Sequence, residues 1–155
     1  MMGWTNSWNA IYREVIFKDH ELKTLMKIPP KTGILQFRDR YFIRAGFTNK
    51  LLTDEVCRIV YSDSASSDTA VPNVKRNVLT FDVYVKQEEM YNIGEDRLIS
   101  RLDYIIDRLD KLMRRERYLA DTGYRFWPAT APLDLGTRTV GYDRRAIAFN
   151  YMKVM

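Results

Sequence analysis

The side chains able to carry chemistry are few, and they stand apart. The chain holds one histidine, His20, and one cysteine, Cys57. His20 lies between Asp19 and Glu21, a setting that could serve a metal ion or a proton transfer. An ordinary metal site needs a second imidazole or a thiolate at a set spacing, and no second histidine exists. The plainer reading of His20 is a polar residue on the surface of a helix. Cys57 falls inside the apolar run at residues 56–61 (VCRIVY), where a thiol behaves as a small hydrophobe rather than a nucleophile. A lone cysteine also rules out an internal disulfide and a cysteine-based zinc site. Asp103, Asp107 and Asp110 share one face of a helical stretch, but Arg and Lys interleave with them, the pattern of a solvated face or of one edge of a subunit contact. The nucleophile elbow, the P-loop, the dinucleotide fingerprint and the zinc-protease helix motif are all missing from the sequence. These residues predict a protein that is not an enzyme and needs no metal or cofactor.

Basic residues offer the other chemistry. Arg114, Arg115 and Arg117 are the one dense cluster and could grip phosphate or an acidic partner. With Lys75 and Arg76 they support an alternative reading as a nucleic-acid-binding accessory protein. The plainer reading is cationic charge at a helix C-terminus, where the helix dipole favours it. Net charge is +5, from 25 basic and 20 acidic residues. Both signs are interspersed along most of the chain, whereas a dedicated nucleic-acid binder gathers its basic residues on one face.

The elements that must position these groups follow from periodicity. A chain of 155 residues, 46% of them hydrophobic, fits one domain with a real core. Residues 7–27 read as helical, with Trp8, Ile11, Tyr12, Val15 and Ile16 at spacings of three and four. Asp19 can cap a second short helix that turns Leu22, Leu25 and Met26 inward, with Pro29 and Pro30 ending it. Residues 31–52 have no clear period. Their Phe37, Tyr41, Phe42, Ile43 and Phe47 must be buried somewhere, a neighbouring chain being one destination. Residues 56–61 read as a strand. So do residues 78–85, where Leu79, Phe81, Val83 and Val85 alternate with Thr80, Asp82 and Tyr84. A long helix follows over residues 95–117. Its stripe is Leu98, Leu102, Ile105, Leu109 and Leu112, widened by Ile99, Ile106 and Met113, and it should lie on the strand before it. Residues 124–127 and 144–154 read as closing strands. The expected fold is α/β (α+β): a small, mostly antiparallel sheet of about four strands packed by one long helix, with an N-terminal helical segment.

Two long polar connections, residues 62–77 and 128–143, remain as candidate recognition loops. The first offers Asp63, Ser66, Asp68, Lys75 and Arg76, and the second Pro132, Asp134, Arg138 and Tyr142. Aromatics make up 13% of the chain, ten of them Tyr, a side chain suited to surfaces that become buried on association. No run approaches the roughly 18 apolar residues of a membrane span. The N-terminus lacks the pattern of a signal peptide, so a soluble protein folded in a cytoplasm is expected.

The order of elements resembles the tail terminator and tail-completion proteins of long-tailed bacteriophages, small α/β proteins of the head–tail joint. The resemblance rests on the D-x-x-L-x-x-L pattern of Asp19, Leu22 and Leu25, the strand LTFDVYV at residues 79–85, the helix DRLISRLDYIIDRLDKLM at residues 96–113, and the closing RRAIAFNYMKV. It implies a homo-oligomeric ring, commonly a hexamer, that caps the tail tube and joins it to the head connector. Its partners would be further copies of itself, the tail tube protein and a head-closure protein, with transient contact with passing DNA and none with a membrane. It places the protein in the virion neck after assembly in the host cytoplasm.

Overall fold

The last strand in sequence is an inner strand of the sheet. In the computed structural model, which describes residues 9–45, 55–66, 76–93, 99–114, 124–128, 133–136 and 141–153, β1 (Phe42–Arg44) runs parallel to β2 (Cys57–Ser66). β2 pairs antiparallel with β3 (Arg76–Lys86), which pairs antiparallel with β6 (Tyr142–Lys153). β4 (Tyr124–Pro128) and β5 (Leu133–Gly136) both pair with β6, β4 against residues 149–153 and β5 against residues 144–146. Since β3 occupies one edge of β6, β4 and β5 follow one another along the other. The order is β1-β2-β3-β6-β4, with β5 beside β6. The α+β class and the mostly antiparallel sheet are as expected. The strand count is higher, because β1 and β5 lie in stretches without a clear apolar alternation.

The same reason shortens both predicted loops. Residues 62–66 are paired with residues 76–80, from Ser62↔Thr80 to Ser66↔Arg76. A run of Ser, Asp and Ala carries no apolar signal, and its pairing comes from the backbone of β3 instead. Residues 133–136 likewise pair with β6, through a bulge between Asp134 and Gly136. The parts of the two loops at 67–75, 129–132 and 137–140 lie outside the described residues.

One face of the sheet makes the core. Leu79, Phe81, Val83 and Val85 are buried, and so are Ile147, Phe149 and Tyr151 on β6. Across them lies the long helix, Arg101–Met113, which packs on both β3 and β6 and on a short helix, His20–Leu25. We call the short helix α1, the brief turn Ile34–Gln36 α2, and the long helix α3. Leu102, Ile105, Ile106, Leu109, Leu112 and Met113 are buried as the stripe requires.

The helix start differs from expectation. Ser100 is extended at φ −67° and ψ 156°, and its Oγ accepts from the Asp103 amide while donating to the Asp103 carboxylate at 2.8 Å. This capping exchange ends the helix at Arg101. Ile99 therefore falls outside the stripe and is 52% exposed. Leu98, Glu95 and Asp96, placed in the first turns by periodicity, lie outside the described residues, as do Arg115 and Arg117 at the other end.

The N-terminal segment is also broken up. Ile11–Ile16 is a π-helical turn that buries Ile11, Val15 and Ile16. Asp19 caps α1 as expected, its carboxylate accepting from the Leu22 amide at 2.8 Å. α1 ends ahead of the prolines. Lys27 takes φ 56°, and the Ile28 amide donates back to the Lys23 carbonyl at 3.0 Å, a left-handed terminus that reverses the chain before Pro29. Phe37, Tyr41, Phe42 and Ile43 are buried within this chain, so none of these four needs a neighbouring chain to cover it. Phe37 and Tyr41 sit on a second π-helical turn, Phe37–Tyr41. Ring centres 5.8 Å apart link Phe37 to Phe42, and 4.9 Å link Phe42 to Tyr61. Phe47 lies outside the described residues.

Candidate functional site

The residues with most intrinsic reactivity are not brought together. His20 is an exposed residue at the start of α1, where its carbonyl accepts from Thr24 Oγ1 at 3.0 Å. Cys57 is fully buried on β2, and burial pushes its thiol up to about 12, which keeps it protonated and inert near neutral pH. Asp103, Asp107 and Asp110 each meet a cation, respectively Arg145, Lys111 and Arg114. Among the described residues, no group of three or more His, Cys, Asp or Glu could hold a metal ion.

Most charged groups near the core instead join elements to one another. Asp19 holds Arg108 of α3 side-on, with Nε to Oδ2 at 2.9 Å and Nη2 to Oδ1 at 2.5 Å. Arg108 Nη1 also reaches Glu21 at 3.1 Å. The Asp19 hydrogen bond is the main reason the guanidinium is raised above its ordinary value. One carboxylate thus caps α1 and anchors α3. On the opposite side of α3, Arg145 of β6 pairs with Asp103.

Arg101 is the feature that sequence reasoning missed. It stands at the first position of α3, where a cation opposes the helix dipole, yet it is only 2% exposed. Its guanidinium donates to the carbonyls of Glu89 at 2.8 Å, Leu25 at 2.5 Å and Asn92 at 3.3 Å, and to Asn92 Oδ1 at 2.8 Å. Leu25 ends α1, so its carbonyl belongs to the negative end of that helix. Beside it, Glu89 accepts from Lys27 at 2.8 Å, and its carboxyl is held below its ordinary value by hydrogen bonds from Lys27 and Asn92. The only signal in the sequence was a cation on the wrong end of a helix.

The predicted contact residues divide. Asp63 is exposed and accepts from the Tyr151 hydroxyl at 2.6 Å. Ser66 and Arg76 form the last rung of the β2–β3 ladder, and Asp134 lies opposite Arg145. Tyr142 is buried, 4% exposed, and its hydroxyl donates to the Glu55 carbonyl at 2.8 Å, so it ties the start of β6 to the chain ahead of β2. Arg114 is exposed but is already paired with Asp110 one helical turn away. Asp68, Lys75, Pro132, Arg138, Arg115 and Arg117 lie outside the described residues.

Among the described residues, a strand edge is open to other molecules. β1 covers β2 only from Ile59 to Tyr61, and the Ala45 amide donates once more to the Tyr61 carbonyl at 2.8 Å. Beyond that point, no strand among the described residues pairs with the outer edge of residues 62–66. The chain matches no protein-family model and no curated protein. No helix among the described residues is long and apolar enough to cross a membrane.

Proposed function

We propose that this chain is a structural assembly protein of the neck of a long-tailed bacteriophage. It forms a homo-oligomeric ring, a hexamer, that terminates the tail tube and joins it to the head connector. It is assembled in the host cytoplasm and carried in the virion.

The observation that carries this reading is the outer edge of β2 past Tyr61. There a ten-residue strand outruns the three-residue strand beside it, among the described residues. An open strand edge is a template for pairing with another chain, and a closed ring covers such edges. The rest of the fold suits a rigid building block. Arg108, Arg145 and Arg101 clamp α3 to α1, to β6 and to the turn before it.

Size-exclusion chromatography with light scattering, followed by negative-stain imaging, tests the proposal with and without tail tube protein. The expected result is a ring of about six subunits, alone or on the tube end. A strict monomer that never binds tube protein overturns it.

A further inference from the structure

The interior arginines point to a binding position. Arg108 and Arg145 meet carboxylates, and Arg101 meets four oxygen acceptors. Arg144 has neither. It is 5% exposed, and successive residues of a strand point to opposite faces. Since Arg145 faces α3, Arg144 stands on the other face of the sheet. Its Nη1 donates to the Tyr84 hydroxyl at 3.1 Å, with its Cζ 5.7 Å from the centre of that ring. Its Nε is closed off from solvent, and among the described residues it has no acceptor and Arg144 makes no ion pair. A buried cation without a counter-charge is costly, and a free N–H on it more so.

The geometry of the unused edge is specific. With Nη1 held by Tyr84, the donors left over are Nε and Nη2, the side-on fork that matches two oxygens of a carboxylate or phosphate. Arg108 presents the same fork in the same molecule, filled by the two oxygens of Asp19, with its Nη1 likewise turned to another partner, Glu21. We propose that Arg144 is an oxyanion-binding position that takes a carboxylate or phosphate group side-on through Nε and Nη2. Small residues neighbour Arg144 in the sheet: Gly136 lies opposite it on β5, and Ala146 follows it on the same face of β6. Tyr84 can turn its own O–H toward the same anion. Asp82 lies on this face opposite Ala146, and its negative charge lowers the affinity of the position for an anion.

The test uses the full chain at fixed ionic strength, with chloride replaced stepwise by inorganic phosphate in one arm and by acetate in the other. Binding to the folded state raises the thermal midpoint saturably, by about 3–6 °C near saturation. The side-chain Nε–H signal of Arg144, followed by nitrogen-edited NMR, moves along the same titration curve. The arm with the larger response identifies the preferred anion. Arg144→Met removes the response in both readouts, and Arg144→Lys, which keeps the charge without the fork, loses most of it. Tyr84→Phe keeps the fork and keeps the saturable rise. If Arg144→Met is too unstable to measure, Arg144→Lys with the NMR signal of the wild-type chain decides. An equal rise in Arg144→Lys and wild type, or no response to either anion in the wild type, overturns the proposal.

Discussion

The Asp19–Arg108 contact makes two jobs of one carboxylate separable. Asp19 caps α1 and holds Arg108 of α3, and the two side chains are only 9% and 15% exposed. Replacing Asp19 with Ser keeps an oxygen for the Leu22 amide and removes the carboxylate that pairs with Arg108. Breaking a buried pair by deleting one partner costs about 3–5 kcal/mol. Here Arg108 keeps Glu21, but that carboxylate is 64% exposed, and an exposed pair returns only about 0.2–1 kcal/mol. The expected loss for Asp19→Ser is therefore about 2–4 kcal/mol. Asp19→Ala should lose about 1 kcal/mol more, for the missing cap. Arg108→Met leaves the cap intact and should cost about 2–3 kcal/mol. The double variant Asp19→Ser/Arg108→Met should be more stable than the sum of its parts by about 1–3 kcal/mol. Urea unfolding followed by tryptophan fluorescence measures all four, provided the slopes agree. A coupling below about 0.5 kcal/mol would falsify the view that this pair joins the two helices.

Three further outcomes are expected. Arg101→Lys should lose about 2–4 kcal/mol, because one ammonium cannot serve the Glu89, Leu25 and Asn92 oxygens together; amide exchange at the start of α3 should quicken, and a variant as stable as wild type contradicts the clamp. Cys57 should resist a thiol-specific disulfide reagent at pH 8 in the folded chain and react only on unfolding, since burial holds its thiol near 12; rapid labelling without denaturant would show the strand to be open. Glu89 is held below the ordinary carboxylate value by Lys27 and Asn92, so its contribution is complete above the unfolded value and fades as pH falls through the lower folded one. Glu89→Gln should therefore flatten the acid side of the stability–pH curve, and an unchanged acid limb would count against that linkage.

What the sequence revealed depended on apolar contrast. β3 was legible because Leu79, Phe81, Val83 and Val85 alternate with half-buried residues, and most of α3 because its stripe keeps helical spacing. β1, β5 and the far half of β2 were not, because their residues give no alternation and pairing with a neighbour decides their state. The π-helical turns escaped for a related reason: their wider turn displaces apolar residues from the spacing that marks an α-helix. The capping role of Asp19 could be read locally, while its hold on Arg108 could not, since nothing links residues so far apart until the helices pack. Arg101 and Arg144 were hidden in the same way. An arginine reads as surface charge until a fold surrounds it with carbonyl groups, as at Arg101, or buries it against a tyrosine, as at Arg144.

The place of β6 has a bearing on how the chain reaches its structure. β6 lies between β3 and the β4–β5 edge, so none of these strands has its full set of neighbours until β6 is made. Its ladder to β3 spans all of α3, β4 and β5, which makes the central pairing a distant one in sequence. Distant pairing slows folding, because the loop must close before its contacts return free energy. During synthesis the β2–β3 hairpin and α3 emerge with the apolar face of β3 still uncovered on one side. The sheet then closes at a late stage, when Ile147 and Phe149 slide in beside Phe81 and Leu79. A ribosome that stops before residue 142 yields a β1–β2–β3 sheet with β4 and β5 left unpaired, a product that proteases can clear.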